Sequence, residues 1–172
     1  INSDGSNNRP VTTGNQNDSY PRWSNDGKKI IFKSNRSDDR VKLFLMQMDT
    51  KETVALTNGP NAPNNVSWSP DDTFLAFNMF VPKEQKSIIK LPPKPAGASW
   101  NKPPAYIEKL NYRGDGRGYL KNGNMQLFTL SVEGDTPQQL TFTDADHGAP
   151  VWAKNGLKLY FSANINAEEA FQ

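Results

Sequence analysis

A chain of 172 residues is long enough for one domain with a sizeable core, yet only 35% of it is hydrophobic and its mean hydropathy is −0.76. That polarity fits a turn-rich β protein, whose strands bury alternate residues, better than a helical globule. Twenty basic and 18 acidic residues leave a net charge of +2 with no basic run, which removes the electrostatic case for nucleic acid, and the absence of cysteine excludes disulfides, thiolate nucleophiles and cysteine-ligated zinc.

The opening INSDGSNNRP has neither the basic nor the apolar region of a signal peptide, and the closing NINAEEAFQ ends without a turn or cap. The chain therefore reads as a fragment excised from a longer polypeptide. No apolar run approaches the roughly 18 residues of a membrane span. A cysteine-free chain is compatible with the bacterial periplasm and with the cytoplasm alike.

Three strings repeat along the chain. The first is PRWSNDGKKIIFKSN (21–35), followed by VSWSPDDTFLAFNMF (66–80) and PVWAKNGLKLYFSAN (150–164). Ahead of each comes a short threonine string: PVTTG (10–14), ALTNG (55–59) and QLTFT (139–143). Thr12 to Trp23, Thr57 to Trp68 and Thr141 to Trp152 all span 11 positions. A third element, LFLMQMD (43–49) and LFTLSVE (127–133), begins 14 positions before Thr57 and Thr141 respectively. Three independent spacings that agree make chance a poor explanation.

Each piece has strand character. KKIIFKS and LKLYFSA are rich in β-branched and aromatic residues, and Asp26-Gly27 and Asn155-Gly156 suit tight turns that need a positive φ. The middle copy carries Asp71-Asp72 there, which predicts a turn kept at the cost of some strain. No segment sustains a 3.6-residue period, so helix content is expected to be low. The order is tryptophan strand, tight turn, second strand, loop, third strand, turn, Leu-Thr strand. Four antiparallel strands in a unit of about 45 residues describe a β-propeller blade.

The fold expected is thus all-β, a partial β-propeller of four-stranded antiparallel blades, about two full ones and two partial ones. Residues 1–12 would end one blade, 21–57 and 66–141 would form two more, and 150–164 would open the next with its first hairpin. Trp23, Trp68 and Trp152 are expected in the core between blades. The second unit is longer: Trp68 to Thr141 spans 73 positions against 34 from Trp23 to Thr57. The excess lies at about 81–124, a stretch rich in proline and glycine that is too long for an idle connection. Insertions in repeat proteins gather on one face, often the binding face.

The repeats resemble the TolB-type blade, with its Pro-x-Trp-Ser-Pro-Asp-Gly pattern and later Leu-Thr. YIEKLNYRGDGRGYL (106–120), QLFTLSVEGDTPQQLT (126–141) and DADHGAPVWAKNGLKLYFSAN (144–164) sharpen this. Together they resemble the N-terminal propeller of prolyl-oligopeptidase-family serine peptidases, in the acylaminoacyl- and dipeptidyl-peptidase branch. The resemblance covers nearly the whole chain and is strongest over 100–164. It implies a C-terminal α/β-hydrolase domain as partner, carrying a Ser-Asp-His triad, with the propeller gating and positioning small peptide substrates. The alternative it leaves open is a TolB-type, non-enzymatic protein-binding propeller.

This chain has no Gly-x-Ser-x-Gly nucleophile elbow, and its only histidine, His147, lies beside a glycine with no nucleophile marked by any motif. No catalytic residue, metal site or cofactor is therefore expected in it. Its own status as an enzyme is open, while the parent reads as a serine-type peptidase. Tyr112, Arg113 and Asp115 in the insertion are the candidate substrate-binding residues, since a guanidinium and a carboxylate on one loop suit the charged ends of a peptide. An Arg-Asp pair that only stiffens the insertion is the plainer alternative. Asp144-x-Asp146 begins like a calcium loop but lacks the bidentate glutamate, and His147 is expected to order its loop by hydrogen bonding. An open arc of blades leaves strand edges and apolar faces bare, which predicts self-association of the isolated fragment.

Overall fold

The computed structural model describes residues 4–83, 93–99, 107, 112–116 and 118–164. Residues 4–17 form no strand. The first sheet consists of β1 (Asp18–Trp23), β2 (Lys29–Ser34), β3 (Lys42–Gln47) and β4 (Thr53–Ala55), antiparallel and in chain order. Then come β5 (Asn64–Trp68), β6 (Phe74–Pro82), a short hairpin of β7 (Arg113–Gly114) and β8 (Gly118–Tyr119), and β9 (Gly123–Ser131) with β10 (Gln138–Gln139). Strands β5, β6, β9 and β10 form the second four-stranded antiparallel sheet. A last hairpin, β11 (Val151–Trp152) and β12 (Leu159–Tyr160), opens a third.

The middle strands are buried on both faces, as expected of sheets stacked side by side. One face of the first sheet sends Ile31, Leu43 and Leu45 against Leu75, Phe77, Phe128 and Leu130 of the second. Its other face gathers Ile30, Phe32, Phe44 and Met46 into a separate cluster, with the Arg36 guanidinium over the Phe32 and Phe44 rings. The first strands of successive sheets touch, β1 with β5 and β5 with β11. That convergence of first strands is the radial arrangement of a propeller.

The repeated residues have concrete jobs. Trp68 donates its indole N–H to the carbonyl of Arg22 at 3.1 Å, and Trp152 does the same to Ser67 at 3.2 Å. Each tryptophan thus bonds the residue just before the preceding tryptophan. The 14-position spacing also resolves into a bond: the Thr57 hydroxyl accepts from Leu43 N at 3.0 Å, and that of Thr141 from Leu127 N at 2.9 Å. In the Trp-Ser-x-Asp turns, Ser24 and Ser69 donate to Asp26 and Asp71 and accept from Lys29 N and Phe74 N. The string is scaffolding.

One expectation fails. Trp68 is buried and Trp152 half-buried, but Trp23 is 53% exposed. A tryptophan of this repeat is covered by the sheet before it, and among the described residues no sheet stands on that side of β1. The turn at Asp72 also differs from a merely strained one. Its φ is +57°, and its carboxylate accepts from Asn25 N, Asn25 Nδ2 and Asp26 N of the neighbouring turn.

Candidate functional site

Antiparallel alternation sends the two loop types of each blade to opposite ends. The tight turns 24–28, 48–52, 69–73 and 132–137 share one end. The loop 35–41, the two ends of the long insertion at Pro82 and Gly123, and the crossings 58–63 and 143–150 share the other. Among the described residues, the longer connections between strands are therefore at one rim.

The insertion leaves that rim from an unusually long ladder. β6 and β9 pair over nine residues each, ending with Pro82 opposite Gly123. Gly123 has φ +148°, and a Cβ there would strike the Val81 carbonyl and the Pro82 backbone, so glycine is required. Lys83 bridges to Asp144 at 2.6 Å, and Asn124 Nδ2 donates to the same carboxylate at 2.7 Å. Asp146 accepts from Met125 N at 2.7 Å. The aspartates of the calcium-like string thus bind protein donors and fasten the crossing loop to the base of the insertion. A shallow cavity of about 340 Å³ lies there, with Phe142 and Lys83 among its walls.

His147 is buried in the same loop. Its backbone N–H donates to the Met125 carbonyl at 2.8 Å, and its ring nitrogens lie 3.2 Å from that oxygen and 3.3 Å from Thr143 Oγ1. Its carbonyl accepts from Asn78 Nδ2 at 2.8 Å, and Phe161 lies against its ring. The arrangement is that of a loop fastener.

Tyr112, Arg113 and Asp115 fall together on the small β7–β8 hairpin. Arg113 pairs with Tyr119 and Gly114 with Gly118, and Leu120 N donates to the Tyr112 carbonyl at 2.8 Å. The rings of Tyr112 and Tyr119 stack with centroids 6.2 Å apart. All three candidates are exposed, and Arg113 and Asp115 form no ion pair with each other. Much of the insertion around them lies outside the described residues.

The inner strands add a feature the sequence did not mark. Both β1 and β5 carry a bulge three residues before their tryptophan, at Tyr20 (φ +56°) and Asn65 (φ +51°). Asparagine tolerates a left-handed backbone, but a tyrosine does not, so nothing in the sequence announces the bulge at Tyr20. Beside Tyr20, the buried Lys33 points its ammonium at the ring, 4.8 Å from the centroid, and donates to Asn64 Oδ1 at 2.6 Å. Burial lowers the pKa of Lys33. The one available signal was a lysine inside the apolar strand IIFKS, where the later copies have Asn78 and Ser162.

Comparisons with known proteins bear on this arrangement. No family model matches the chain. It is 33% identical over 156 residues to the "Uncharacterized peptidase YuxL" of Bacillus subtilis (strain 168), covering 91% of this chain and 23% of that protein. The fold is similar to a putative TolB from Agrobacterium tumefaciens, with a TM-score of 0.52 and 19% identity, over 85% of this chain and 38% of that one. It is also similar to the Pyrococcus horikoshii acylaminoacyl peptidase, with a TM-score of 0.54 and 18% identity, over 78% and 19% of the two chains. An acylaminoacyl peptidase in complex with Z-Gly-Gly-Phe-chloromethyl ketone gives a TM-score of 0.55 at 16% identity, over 84% and 20%. The chain spans only 19–23% of the length of the peptidases it resembles.

Proposed function

We propose that this stretch of TolB-like propeller, related to peptidases of the prolyl-oligopeptidase family, gates and positions short peptides for an α/β-hydrolase domain carried by its parent protein. The observation that carries the reading is the similarity to a peptidase over 91% of this chain. The concentration of the insertion and the crossing loops at one rim supports it, because a gate needs its contacts on a single face. Hydrolysis itself belongs to the absent domain, since this chain has no nucleophile elbow. Tyr112, Arg113 and Asp115 would meet the charged end of the peptide from their exposed hairpin.

The test uses the full-length parent. It should hydrolyse short peptides and spare folded proteins, and Arg113→Ala should raise KM for short peptides with little change in Tm. Unchanged KM and kcat overturn the role given to the hairpin. Absence of any peptidase activity overturns the whole reading and favours the protein-binding alternative, to which the likeness to a TolB structure over 85% of this chain gives its weight.

For the isolated segment, self-association is the expected behaviour. Val151, Leu157, Tyr160 and Phe161 of the last hairpin are exposed, and β12 ends its sheet without a further strand among the described residues. A monomeric mass by light scattering at high concentration overturns this.

A further inference from the structure

We infer that Tyr20, set on the bulge of β1 with Lys33 beneath its ring, is a docking point for an apolar side chain of the peptide at the inner rim of the propeller; this rests on the peptidase reading above.

Tyr20 sits at φ +56°, a region that disfavours bulky side chains, whereas the equivalent bulge in β5 holds an asparagine, which tolerates it. Glycine or asparagine would serve the backbone better, so the tyrosine is not explained by the turn of the chain. Nor is it explained by packing among the described residues: its ring stands over Lys33, on the face turned to the second sheet and not the open face of Trp23, and it is still 59% exposed. Strain kept for a side chain that contributes little to the core points to a use for that side chain.

Its surroundings show the use is a fixed one. The Lys33 ammonium lies under the ring, buried, held by Asn64 and without an ion pair to any described carboxylate. The start of β1 is pinned by the Arg36–Asp18 pair at 2.8 Å and by Asn17 N donating to Asn35 Oδ1 at 2.8 Å. A ring fixed from below and along its strand loses little freedom when it meets a ligand, which is how exposed tyrosines give affinity. One face of the ring is taken by the cation, and the exposed remainder is an apolar surface with a polar tip. β1 begins at the insertion rim and touches β5, so Tyr20 and the exposed Asn65 occupy equivalent places on adjacent inner strands. An extended peptide passing that rim meets the ring as a surface for a side chain.

The experiment compares full-length wild type with Tyr20→Asn, Tyr20→Phe and Lys33→Met, using short peptides that differ only in having glycine or a large apolar residue at one position. Tyr20→Asn should hold or raise Tm while raising KM for the apolar peptides on the order of tenfold, leaving the glycine peptides unchanged. Tyr20→Phe should behave as wild type, and Lys33→Met should shift KM in the same direction as Tyr20→Asn by a smaller factor. Unchanged KM for every peptide, or an equal rise for both kinds, overturns the docking point and leaves the peptidase reading standing. A lowered Tm with unchanged KM makes Tyr20 structural and overturns it too. A wild-type protein without peptidase activity removes both.

Discussion

The carboxylate of Asp72 accepts hydrogen bonds from the backbone N–H groups of Asn25, at 2.8 Å, and Asp26, at 2.9 Å, across the seam between two sheets. The Asn25 amide completes the contact by donating to Asp72 at 2.8 Å and to the Ser69 carbonyl at 2.9 Å. Asp72 stands where the other copies have Gly27 and Gly156. At the next seam the clamp is absent by chemistry: Pro70 has no N–H to give, and Gly156 has no side chain to receive it.

Asp72→Gly separates the two consequences of that aspartate. It relieves a left-handed backbone worth roughly 1 kcal/mol, but it abandons hydrogen bonds to a buried carboxylate worth about 1.5–3 kcal/mol. The expected order of Tm is wild type, then Asp72→Asn, then Asp72→Gly, with Asp72→Ala lowest because it keeps the strain and loses the clamp. Thermal unfolding followed by circular dichroism reads that order, and a glycine variant more stable than wild type contradicts it.

The tryptophans should respond unequally. Trp68→Ala empties a site between sheets and is expected to cost about 3–5 kcal/mol, while Trp68→Phe loses chiefly the bond to Arg22, about 1 kcal/mol. Trp23→Ala should stay within roughly 0.5 kcal/mol, as for an exposed residue away from special features. In single-tryptophan variants, acrylamide should quench Trp23 readily and Trp68 poorly.

Thr57→Val and Thr141→Val test the Leu-Thr spacing. Valine keeps the shape but leaves Leu43 N or Leu127 N without its acceptor, at a cost of about 1–3 kcal/mol each. Thr141 should be the more sensitive, because its hydroxyl also donates to Gln126 Oε1 at 2.7 Å. Gln126 in turn donates to the Thr143 carbonyl at 2.7 Å, so the damage should spread into the crossing loop. Hydrogen exchange at 143–148 should rise in Thr141→Val and stay flat in Thr57→Val.

Acid sensitivity follows from the turns. The Ser24 hydroxyl and Lys28 N–H hold the Asp26 carboxyl below the usual range, and Ser69 with Thr73 does the same for Asp71. Burial works to raise Asp18, but Ser34, Thr12 and the Arg36 guanidinium outweigh it and lower its pKa. Carboxyls lowered in the fold contribute stability above their unfolded value of about 3.9, and lose it as pH falls through the folded value. Tm should be level from about pH 7 to 5 and fall below about pH 4, with a shallower fall in Asp26→Asn/Asp71→Asn. A main loss of stability above about pH 5 contradicts this assignment.

The regular parts of the molecule were legible because repetition exposes them. Thr57 and Leu43 lie 14 positions apart in the sequence because one bonds the other in the fold. What a repeat cannot convey is the consequence of having a neighbour. Trp23 carries the same motif as Trp68, yet it is exposed for want of a covering sheet among the described residues. Asp72 looked like a compromise in a turn because its partners, Asn25 and Asp26, belong to a different blade. The bulge at Tyr20 left no mark, since a left-handed tyrosine is an exception to every local preference. The insertion showed its place but not its chemistry, because proline and glycine carry no periodicity from which the direction of Arg113 or Asp115 follows.

Pro82 and Gly123 close the last rung of the β6–β9 ladder, so the chain departs from the blade and returns to it at a single point. A graft that keeps Lys83, which bonds Asn122 and Asp144 just beyond that rung, should treat the rest of the insertion as a cassette. A hairpin turn of a few residues grafted there should leave the seam, the clamp at Asp72 and the threonine bonds untouched. Foreign sequences spliced into the same junction would be displayed at the rim without renegotiating the scaffold. The architecture thus lets sequence diversify at one locus while the parts that must fit their neighbours stay fixed.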